Sequence, residues 1–358
     1  MPIFTAEATP QESTEQPAPN TEPSSPPDGS TFSIRFFDVG EADSALVLCD
    51  GHAMLIDGGN AADSSLIYSA LKRLQIDYLD YIVCTHPHED HVGGLAGALN
   101  YADVGVAYCS STQHDSRAFE SFVKYLGNRG KTIVVPKAGD SFNLGSATVQ
   151  IIGPIAKSDN ENNNSIVLRI EYGQTSFLFT GDAEREEEQD ILSSAYTLES
   201  TVLKVGHHGS DSSTSYPWLR EIHPEYAVIS VGDNNSYGHP TENTLSRLRD
   251  AEVKVFRTDM QGDIVCISDG LSVSFEVSRN PDADTLVPFN SLPLELTSNN
   301  NEASDTATTY ILNTNTGKFH LPSCPSVGQM SDSNKQEFTG TRDEAIAMGY
   351  SPCGRCHP

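Results

Sequence analysis

The sequence predicts an α+β fold in which two β-sheets are covered by helices, followed by a small cysteine-containing module. The first strand-like segments, FSIRFFDVG, SALVLCD and AMLIDGG, are separated only by Gly and Asp turns, as in antiparallel sheets. From residue 62 helical and strand patterns alternate, which is typical of helices packed on sheets. A polar stretch, ELTSNNNEASDTATT, then separates this body from the last 49 residues.

The other elements of the body follow in a regular order. Helices are predicted at SSLIYSALKRL, after Gly94, at SRAFESFVKYLGNRG, after Asp182, at 216–222 and at 242–250. Strands are predicted at YIVCTH, VGVAYC, ATVQIIG, SIVLRIEYG, TSFLFTGD, TVLKVG, YAVISVG, VKVFRT and DIVCISD. Two sheets with helices on their faces accommodate this order best.

Composition limits the classes of partner. The formal net charge is −27, from 49 acidic and 22 basic residues. Nucleic-acid affinity comes mostly from neutralising phosphates with Lys and Arg, so tight nonspecific binding to duplex DNA is not expected. Single phosphodiesters could still be held at short range through bound divalent cations. No run approaches the roughly 18 apolar residues of a membrane span, and we expect a monomer.

Proline-rich and polar stretches suggest the domain boundaries. Residues 1–30 contain seven prolines, five acids and no Lys or Arg, which predicts a disordered linker. With a second linker at 281–309, the sequence divides into a body at 31–280 and a module at 310–358. An N-terminal tether of this kind suggests an extracytoplasmic or cell-surface location, with a cytoplasmic one as the alternative.

The segment CTHPHEDHVGG concentrates metal-binding residue types at the end of a predicted strand. His86, His88, Asp90 and His91 follow Thr85, so their side chains can converge in front of the sheet edge. Histidine and aspartate together suit divalent zinc, manganese or iron, and four such ligands can serve two ions. An ordinary polar turn is the alternative interpretation.

This motif resembles the signature of the metallo-β-lactamase superfamily, and its context resembles the ComEC-like competence domain. The resemblance continues through FFDVGEADSALV, LIDGG, NNNSIVLRIEYGQTSFLFTGDAE, VLKVGHHGSDSSTS and YAVISVGDNNSYGHP. It implies an αββα sandwich with a metal site at the sheet edges, and ligands contributed by later strand ends. It also implies phosphodiester cleavage of DNA.

Further ligands are expected after later strands. Asp182, in FLFTGDAE, could bridge two cations, or it could cap the following helix. His207 and His208 follow another strand, and on an extended segment only one of them would face the metal. The resemblance favours His208 as the direct ligand and gives His207 a role toward substrate or ligand orientation.

Three other residue positions of the resemblance have less direct roles. Asp57 in LIDGG is expected to hold the ligand loop from behind. The superfamily's usual third-motif histidine is absent, and Asn163 or Asn164 in NNNS stands nearest to its place. His239 in NNSYGHP is assigned to substrate contact or acid catalysis, against a simple loop histidine. The remaining histidines of the body are predicted to be surface or structural: His52, His114 and His223.

The C-terminal module contains a second ligand pattern, H-x3-C-x28-C-x2-C, formed by His320, Cys324, Cys353 and Cys356. Such a spacing predicts a closed structural zinc site, with a disulfide involving Cys353 and Cys356 as the alternative. The module resembles the metal-binding domain of Ada-type repair proteins. His320 stands where that family has an alkyl-accepting cysteine, so alkyl transfer is not expected.

We therefore predict a two-metal hydrolase that uses zinc or manganese. His86 and His88 would hold one ion, Asp90, His91 and His208 the other, and Asp182 would bridge them, with Asp90, His207 and His239 also serving catalysis. The first hypothesis is a nuclease acting on single-stranded DNA. The alternatives are a phosphodiesterase for small or polymer-attached esters such as phosphocholine, and a noncatalytic binding protein stabilised by metal.

Overall fold

The computed structural model describes most of the chain. The described residues are 26–233, 235–287, 308–322, 324, 326–341, 344–345 and 348–353. The chain divides into two compact units, Met1–Ser291 and Leu292–Pro358. Most of the predicted N-terminal linker lies outside the described residues, but its last residue, Ser30, hydrogen-bonds to Asp50 at 2.7 Å and therefore belongs to the folded body.

The first unit contains strands and helices in alternation. Its strands are β1 Phe32–Phe36, β2 Ala45–Cys49, β3 His52–Ile56, β4 Tyr78–Cys84, β5 Asp103–Cys109, β6 Ile133–Val134, β7 Ser141–Leu144, β8 Ala147–Gly153, β9 Val167–Tyr172, β10 Thr175–Phe179, β11 Val202–Lys204, β12 Tyr226–Ile229, β13 Lys254–Arg257, β14 Ile264–Ser268 and β15 Val273–Val277. Its α-helices are α1 Ser64–Leu74, α2 Glu89–Val92, α3 Leu95–Tyr101, α4 Arg117–Asn128, α5 Arg185–Leu192, α6 Tyr216–Ile222, α7 Glu242–Asp250 and α8 Thr258–Gln261.

Two sheets form the framework of this unit. Within the described ranges, the first has eight strands in the order β15-β14-β1-β2-β3-β4-β5-β6, and the second has seven in the order β13-β12-β11-β10-β9-β8-β7. The early strands pair antiparallel and β3 to β6 pair parallel. In the second sheet β10 to β13 are parallel. The predicted change from antiparallel to helix-connected strands is confirmed for β3 to β6 and for β10 to β13, whereas β7 to β10 follow one another without an α-helix and pair antiparallel.

Three buried layers hold the sheets and helices together. Between the sheets, aromatic rings stack across the interface, with Phe32 and Phe177 centroids 4.8 Å apart and Phe36 and Phe179 centroids 5.8 Å apart. A second apolar cluster lies between the first sheet and α1, α3 and α4, and a third lies between the second sheet and α5, α6 and α7. This is the αββα sandwich that the sequence predicted.

The parallel strands explain where the site forms. Since parallel strands β3 and β4 end at the same edge of their sheet, the segments LIDGG and THPHEDH emerge side by side. Strands β10, β11 and β12 are likewise parallel, so the segments after Phe179, Lys204 and Ile229 emerge at one edge of the second sheet. Sites in sheet proteins form at such carboxyl ends.

Thr285 and Val287, which lie in the predicted linker at 281–309, form hydrogen bonds with strand β13. Thr285 Oγ1 donates to the Val255 carbonyl at 2.7 Å, and Arg257 Nη1 donates to the Val287 carbonyl at 2.7 Å. The buried guanidinium of Arg257 thus holds residues up to 287 against the second sheet. Local composition predicted a linker here. The hydrogen bonds that fix this segment join it to a distant strand, so local composition could not reveal them.

The second unit is a small sheet. Its strands are β16 Thr308–Asn313, β17 Lys318–His320, β18 Lys335–Gly340 and β19 Ser351–Pro352, in the order β18-β16-β17-β19. Its described core consists of Tyr310, Leu312, Phe319 and Ala345. So small a core supplies little stability by itself, and a metal ion bound in this unit would contribute to its folding free energy. In the parts of both units that the structure describes, no helix could cross a membrane.

A buried acid on α5 gives the first unit a pH-dependent stability. Burial, together with Asp190 and Glu186, raises the pKa of Glu187 from its ordinary value of 4.5 to about 7, although its Oε1 accepts a 2.8 Å hydrogen bond from the Ile155 amide. A raised native pKa means that the stabilising contribution is full below pH 4.5 and is lost as the pH rises through about 7.

We therefore expect Glu187→Gln, which keeps the acceptor, to raise the free energy of unfolding at about pH 8 by roughly 1–3 kcal/mol. At about pH 4 the two proteins should be equally stable. Urea denaturation at both pH values measures this, with the exposed Glu276→Gln as the control that should change neither value. Equal stability of Glu187→Gln and the unmodified protein at the higher pH would contradict the prediction.

Candidate metal centre

Two glycine doublets lock the histidine loop onto the end of β3. A Cβ on Gly94 would lie 1.9 Å from the carbonyl oxygen of Gly58, so the two backbones touch where no side chain fits. The Gly58 amide donates to the His91 carbonyl at 2.7 Å, and the Gly94 amide donates to the Gly59 carbonyl at 3.1 Å. The glycines of LIDGG and HVGG therefore fix the position of the histidine loop.

Asp57 supports the ligand loop from behind. Its carboxylate accepts 2.7 Å hydrogen bonds from both the amide and the hydroxyl of Thr85, and its Oδ2 lies 2.9 Å from His91 Nδ1. With the carboxylate as acceptor, Nδ1 carries the proton and His91 Nε2 keeps its lone pair for a ligand. This geometry agrees with the supporting role predicted for Asp57.

One oxygen of Asp182 faces the group predicted to hold one ion. Asp182 Oδ1 lies 3.3 Å from His91 Nε2 and 3.7 Å from His208 Nε2. His208 Nε2 lies 3.2 Å from Asp90 Oδ2. The four side chains offer ligand atoms that all lie within 4.8 Å of one another. The structure thus brings together Asp90, His91, Asp182 and His208, as predicted.

The other oxygen of Asp182 faces a second set of histidines. Asp182 Oδ2 lies 3.8 Å from His86 Nε2 and 3.7 Å from His207 Nε2. His86 Nε2 in turn lies 2.9 Å from His88 Nδ1. Asp182 therefore stands between the two groups of candidate ligands. The alternative interpretation as a helix cap is wrong, because Glu184 occupies the N-cap position of α5.

The expectation of an extended HHGS segment is wrong. His207 and His208 lie in a tight 3₁₀ turn, Gly206–Gly209, with left-handed φ values of 49° and 53°. This turn points both rings inward, and both Nε2 atoms lie 3.7 Å from the Asp182 carboxylate. The alternation of side chains along a strand, on which the choice of a single histidine rested, does not apply here.

Each histidine of the centre has one ring nitrogen held by a neighbour, so that its other nitrogen faces the candidate ligand position. Such partners fix ring orientation and tautomer in metal sites. The held atoms are His86 Nδ1 by Thr85 Oγ1 at 3.3 Å, His88 Nε2 by Glu161 Oε2 at 3.0 Å, His91 Nδ1 by Asp57 Oδ2 at 2.9 Å, His207 Nδ1 by Glu184 Oε1 at 3.4 Å and His208 Nδ1 by the Ser230 carbonyl at 3.0 Å.

Several supporting residues were not predicted from the sequence: Glu41, Asp43, Glu161, Glu184 and Lys204. Asp43 and Lys204 form a buried ion pair at 2.8 Å, and Asp43 also lies 3.4 Å from His208 Nδ1. Glu161 also meets His114 Nε2 at 3.2 Å, which places that histidine at the rim. The acidic run GEADS directly after the first strand was the one sequence signal for Glu41 and Asp43.

His239 lies beside the centre and is oriented by Glu41. Its Nδ1 is 2.8 Å from Glu41 Oε1, and the second oxygen of Glu41 accepts from the Gly232 amide at 2.9 Å. The His239 ring is 5.8 Å from the His207 ring. The structure therefore places His239 within the histidine cluster, with its Nε2 not occupied by Glu41.

The asparagines of NNNS do not replace the missing histidine. Asn163 is buried, where its oxygen accepts from the Glu184 amide at 2.9 Å and its Nδ2 donates to Glu186 at 3.0 Å. Asn164 bonds to Ser158 within its own loop. Both asparagines therefore stabilise the loop before β9 and the start of α5, and Asn163 reaches the centre only through Glu184, which contacts His207.

The electrostatics of the centre favour bound cations. Although burial acts in the opposite direction, His91 and His208 hold the pKa of Asp182 well below its ordinary value. Burial would lower the pKa of His91, yet Asp182, Asp90 and Asp57 raise it well above the ordinary value. Burial likewise opposes Lys204 and His208, which bring the pKa of Asp43 down to about 2. The group of Asp90, His91, Asp182 and His208 thus stabilises positive charge, whereas burial lowers the pKa of both His86 and His207 and keeps these rings neutral as ligands must be.

The residues present fit divalent metal ions. Within the described chain, the buried atoms His91 Nε2 and Asp182 Oδ1 have no hydrogen-bond partner, although they lie 3.3 Å apart. Unsatisfied buried polar atoms are costly, and a shared cation would satisfy both. Imidazole nitrogens with carboxylate oxygens are the donor set of zinc and manganese sites.

The C-terminal unit gathers three of its four predicted ligands. His320, Cys324 and Cys353 offer ligand atoms that lie within 4.8 Å of one another. Both ring nitrogens of His320 are buried and have no hydrogen-bond partner in the described part of this unit. The fourth predicted ligand, Cys356, and with it the alternative disulfide, lies outside the described residues. One imidazole and two thiols suit a structural zinc ion.

We expect Asp57→Asn to weaken metal binding about 10- to 100-fold while the protein remains folded. The amide would present an N–H to His91 Nδ1, which favours the tautomer whose Nε2 is protonated and cannot ligate. Competition with a metal-binding dye measures the affinity. Asp80→Asn is the matched control, because Asp80 holds His52 at 2.9 Å and the Ala53 amide at 2.9 Å away from the centre. Unchanged affinity in Asp57→Asn would contradict the role of Asp57.

Comparison with known proteins agrees with this geometry. The family model of the metallo-beta-lactamase superfamily matches residues 38–233, and that of the metal binding domain of Ada matches residues 296–358. ComE operon protein 3 of Bacillus subtilis is 29% identical over 64% of this chain and 32% of its own length. Competence protein ComA of Neisseria gonorrhoeae is 30% identical over 64% of this chain and 31% of its own length.

A solved structure gives a more distant comparison. The metallo-beta-lactamase fold protein YhfI from Bacillus subtilis matches with 13% identity and a TM-score of 0.42, over 63% of this chain and 95% of that one. This chain spans about a third of the length of the two curated relatives that it matches.

Proposed function

Because the chain belongs to the metallo-beta-lactamase superfamily and is a hydrolase of that fold, we propose that it cleaves phosphodiester bonds in DNA with two divalent cations. The cations are zinc or manganese. His86 and His88 would hold one ion, Asp90, His91 and His208 would hold the other, and Asp182 stands between the two groups and would contact both.

The position of Asp182 is the observation that carries this proposal. Its two oxygens face different groups of histidines, at 3.3–3.8 Å, which is the arrangement a bridging carboxylate requires. Two-metal hydrolases hold their ions about 3.5–4 Å apart, which one bridging carboxylate can span. A purely structural metal site would be closed by its ligands, whereas Asp90 and His207 remain partly exposed.

When bound, two divalent cations supply Lewis acidity at the phosphoryl group and a nucleophile near neutral pH. The chain's own residues position the reaction. Asp57, Glu161 and Glu184 hold the ligand histidines in one orientation. His239, oriented by Glu41, donates a proton from Nε2 to the leaving oxygen as its bond to phosphorus breaks, so that the alcohol departs neutral.

DNA as the substrate is supported by the resemblance to ComEC-like domains and by relatives named for competence. The net charge of −27 instead favours a smaller phosphodiester, such as phosphocholine on a surface polymer, because the chain carries few basic residues to follow a long polyanion. This small-ester activity is the second candidate function.

Turnover of two substrates separates these candidates. Purified full-length protein is loaded with manganese or zinc, and its metal content is measured. Cleavage of both bis(p-nitrophenyl) phosphate and a single-stranded oligonucleotide supports the nuclease. Cleavage of the small ester alone overturns DNA as the substrate and supports the small-ester activity, and cleavage of neither substrate would contradict both phosphodiesterase candidates.

The second metal site is part of the proposal. We propose that the C-terminal unit holds one zinc ion through His320, Cys324, Cys353 and Cys356, and that this ion stabilises its small core. A fully loaded chain should then contain three ions. A chain that keeps only two ions under zinc, both lost together on mild chelation, would contradict a separate structural site.

A further inference from the structure

We propose that Tyr237 is a stacking platform for a nucleobase next to the metal centre, so that the enzyme grips an unpaired strand through its bases. This inference rests on the proposed phosphodiesterase function and deepens it, because it names the substrate class as single-stranded nucleic acid. It concerns a residue that takes no part in holding the metal ions.

Tyr237 is unusually exposed for its size. Its residue surface is 72% accessible, the largest fraction among the large apolar side chains in the described residues. Leu271, the next most exposed, is 63% accessible and lies on a hairpin turn between β14 and β15. An aromatic ring offers a large apolar face, so an exposed one beside a binding site is available for contact with a ligand.

The loop that carries Tyr237 is held in place by one side chain. Asn235 accepts hydrogen bonds from the amides of Tyr237 at 3.2 Å and His239 at 3.0 Å. Its Nδ2 donates to the carbonyls of Gly232 at 2.9 Å and His239 at 2.7 Å. Four hydrogen bonds to one amide fix the turn, so Tyr237 is presented outward while His239 turns toward the centre.

A row of rings links the metal centre to this platform. His207, whose Nε2 lies 3.7 Å from Asp182, has its ring 5.8 Å from that of His239. Tyr237 stacks on His239, with the two rings 5.6 Å apart and an angle of 19° between their planes. One face of Tyr237 is thus supported by His239, and the ring extends to the solvent beside the place where a phosphate would react.

Because the protein is strongly acidic, stacking on an aromatic ring is a suitable way for it to bind a nucleic-acid strand. With 22 basic against 49 acidic residues, the chain cannot gain much affinity by neutralising phosphates. Stacking on an aromatic ring tolerates any base sequence, because every base has a π-face, and it does not require basic side chains. Bases in a duplex already stack on each other, so an unpaired strand is the form that Tyr237 can bind.

The test combines a substitution in the enzyme with a change in the substrate. Tyr237→Ala is expected to raise KM for a single-stranded oligonucleotide about 5- to 100-fold, and Tyr237→Phe, which keeps the ring, is expected to retain the original KM. For the unmodified enzyme, KM should be higher by a similar factor when the oligonucleotide has an abasic residue next to the cleaved bond. Tyr237→Ala combined with the abasic oligonucleotide should raise KM no more than either change alone.

Tyr78→Ala is the control variant, since Tyr78 is also exposed, at 50%, but begins β4 at the end of the strand away from the histidines. It should leave KM unchanged for both oligonucleotides. Fully additive effects of Tyr237→Ala and the abasic residue, or an unchanged KM in Tyr237→Ala, would overturn the stacking role while the nuclease function stands. An unmodified enzyme that cleaves no oligonucleotide would overturn the nuclease function itself.

Discussion

Replacing Asp182 with alanine is expected to lower kcat/KM for a phosphodiester by on the order of 10³-fold or more. Removing one fixed charge-stabilising group commonly costs about 10²–10³-fold, and Asp182 serves both groups of ligands. Its oxygens lie 3.3 Å from His91 and 3.8 Å from His86. The variant should therefore lose the shared ligand, and affinity for at least one ion should fall with the turnover.

Two further variants distinguish the loss of a metal ligand from a loss of activity caused by unfolding. Asp182→Asn keeps the size of the side chain and should lose activity as fully as Asp182→Ala, because the amide nitrogen cannot serve as the second bridging donor. The Asp50 carboxylate bonds to Ser30 and Thr31 rather than to the candidate ligands, so the control variant Asp50→Asn should keep full activity. Circular dichroism should show folded protein in every case. Turnover by Asp182→Ala near the original rate would contradict the two-metal mechanism.

Replacing Gly94 with alanine is expected to lower the free energy of unfolding by about 3 kcal/mol and to weaken metal binding. The new methyl group would lie 1.9 Å from the carbonyl oxygen of Gly58. That oxygen belongs to the backbone, so it cannot rotate away as a side chain could. The loop of His91 must then shift. Displacements of about 1 Å at a reacting centre can cost about 10²-fold in rate.

Gly127→Ala is the matched control for this change. Gly127 lies near the end of α4, where an added Cβ meets nothing within 4 Å. The control should stabilise the protein by about 0.5–1 kcal/mol, because alanine is the better helix former. Urea denaturation and metal titration of both variants measure the difference. A Gly94→Ala protein as stable as the unmodified one would show that the two loops are not locked as described.

Local patterns predicted the framework and part of the candidate site. Helices α1 and α7 begin and end where the sequence predicted them, at Ser64–Leu74 and Glu242–Asp250. The candidate metal site was predicted from the high density of histidines and carboxylates within eleven residues. The family match confirms the superfamily that this motif indicated.

Other features could not be predicted because they depend on contacts between distant segments. Glu41 meets His239, and Asp43 meets Lys204, only when the ends of the two sheets come together. The turn at His207 and His208 adopts left-handed backbone angles, which residues other than glycine seldom adopt. The sequence therefore indicated which residue types supply the site but not the supports that orient them.

Electron paramagnetic resonance of the manganese-loaded protein tests the two-metal centre most directly. Manganese prefers the histidine and carboxylate ligands of the hydrolase unit to the thiols of the C-terminal unit. Two manganese ions per chain with an exchange-coupled spectrum are expected, since ions that share a carboxylate lie about 3.5–4 Å apart, and this coupling should be lost in Asp182→Ala. An uncoupled signal from a single ion, unchanged in Asp182→Ala, would contradict the two-metal centre.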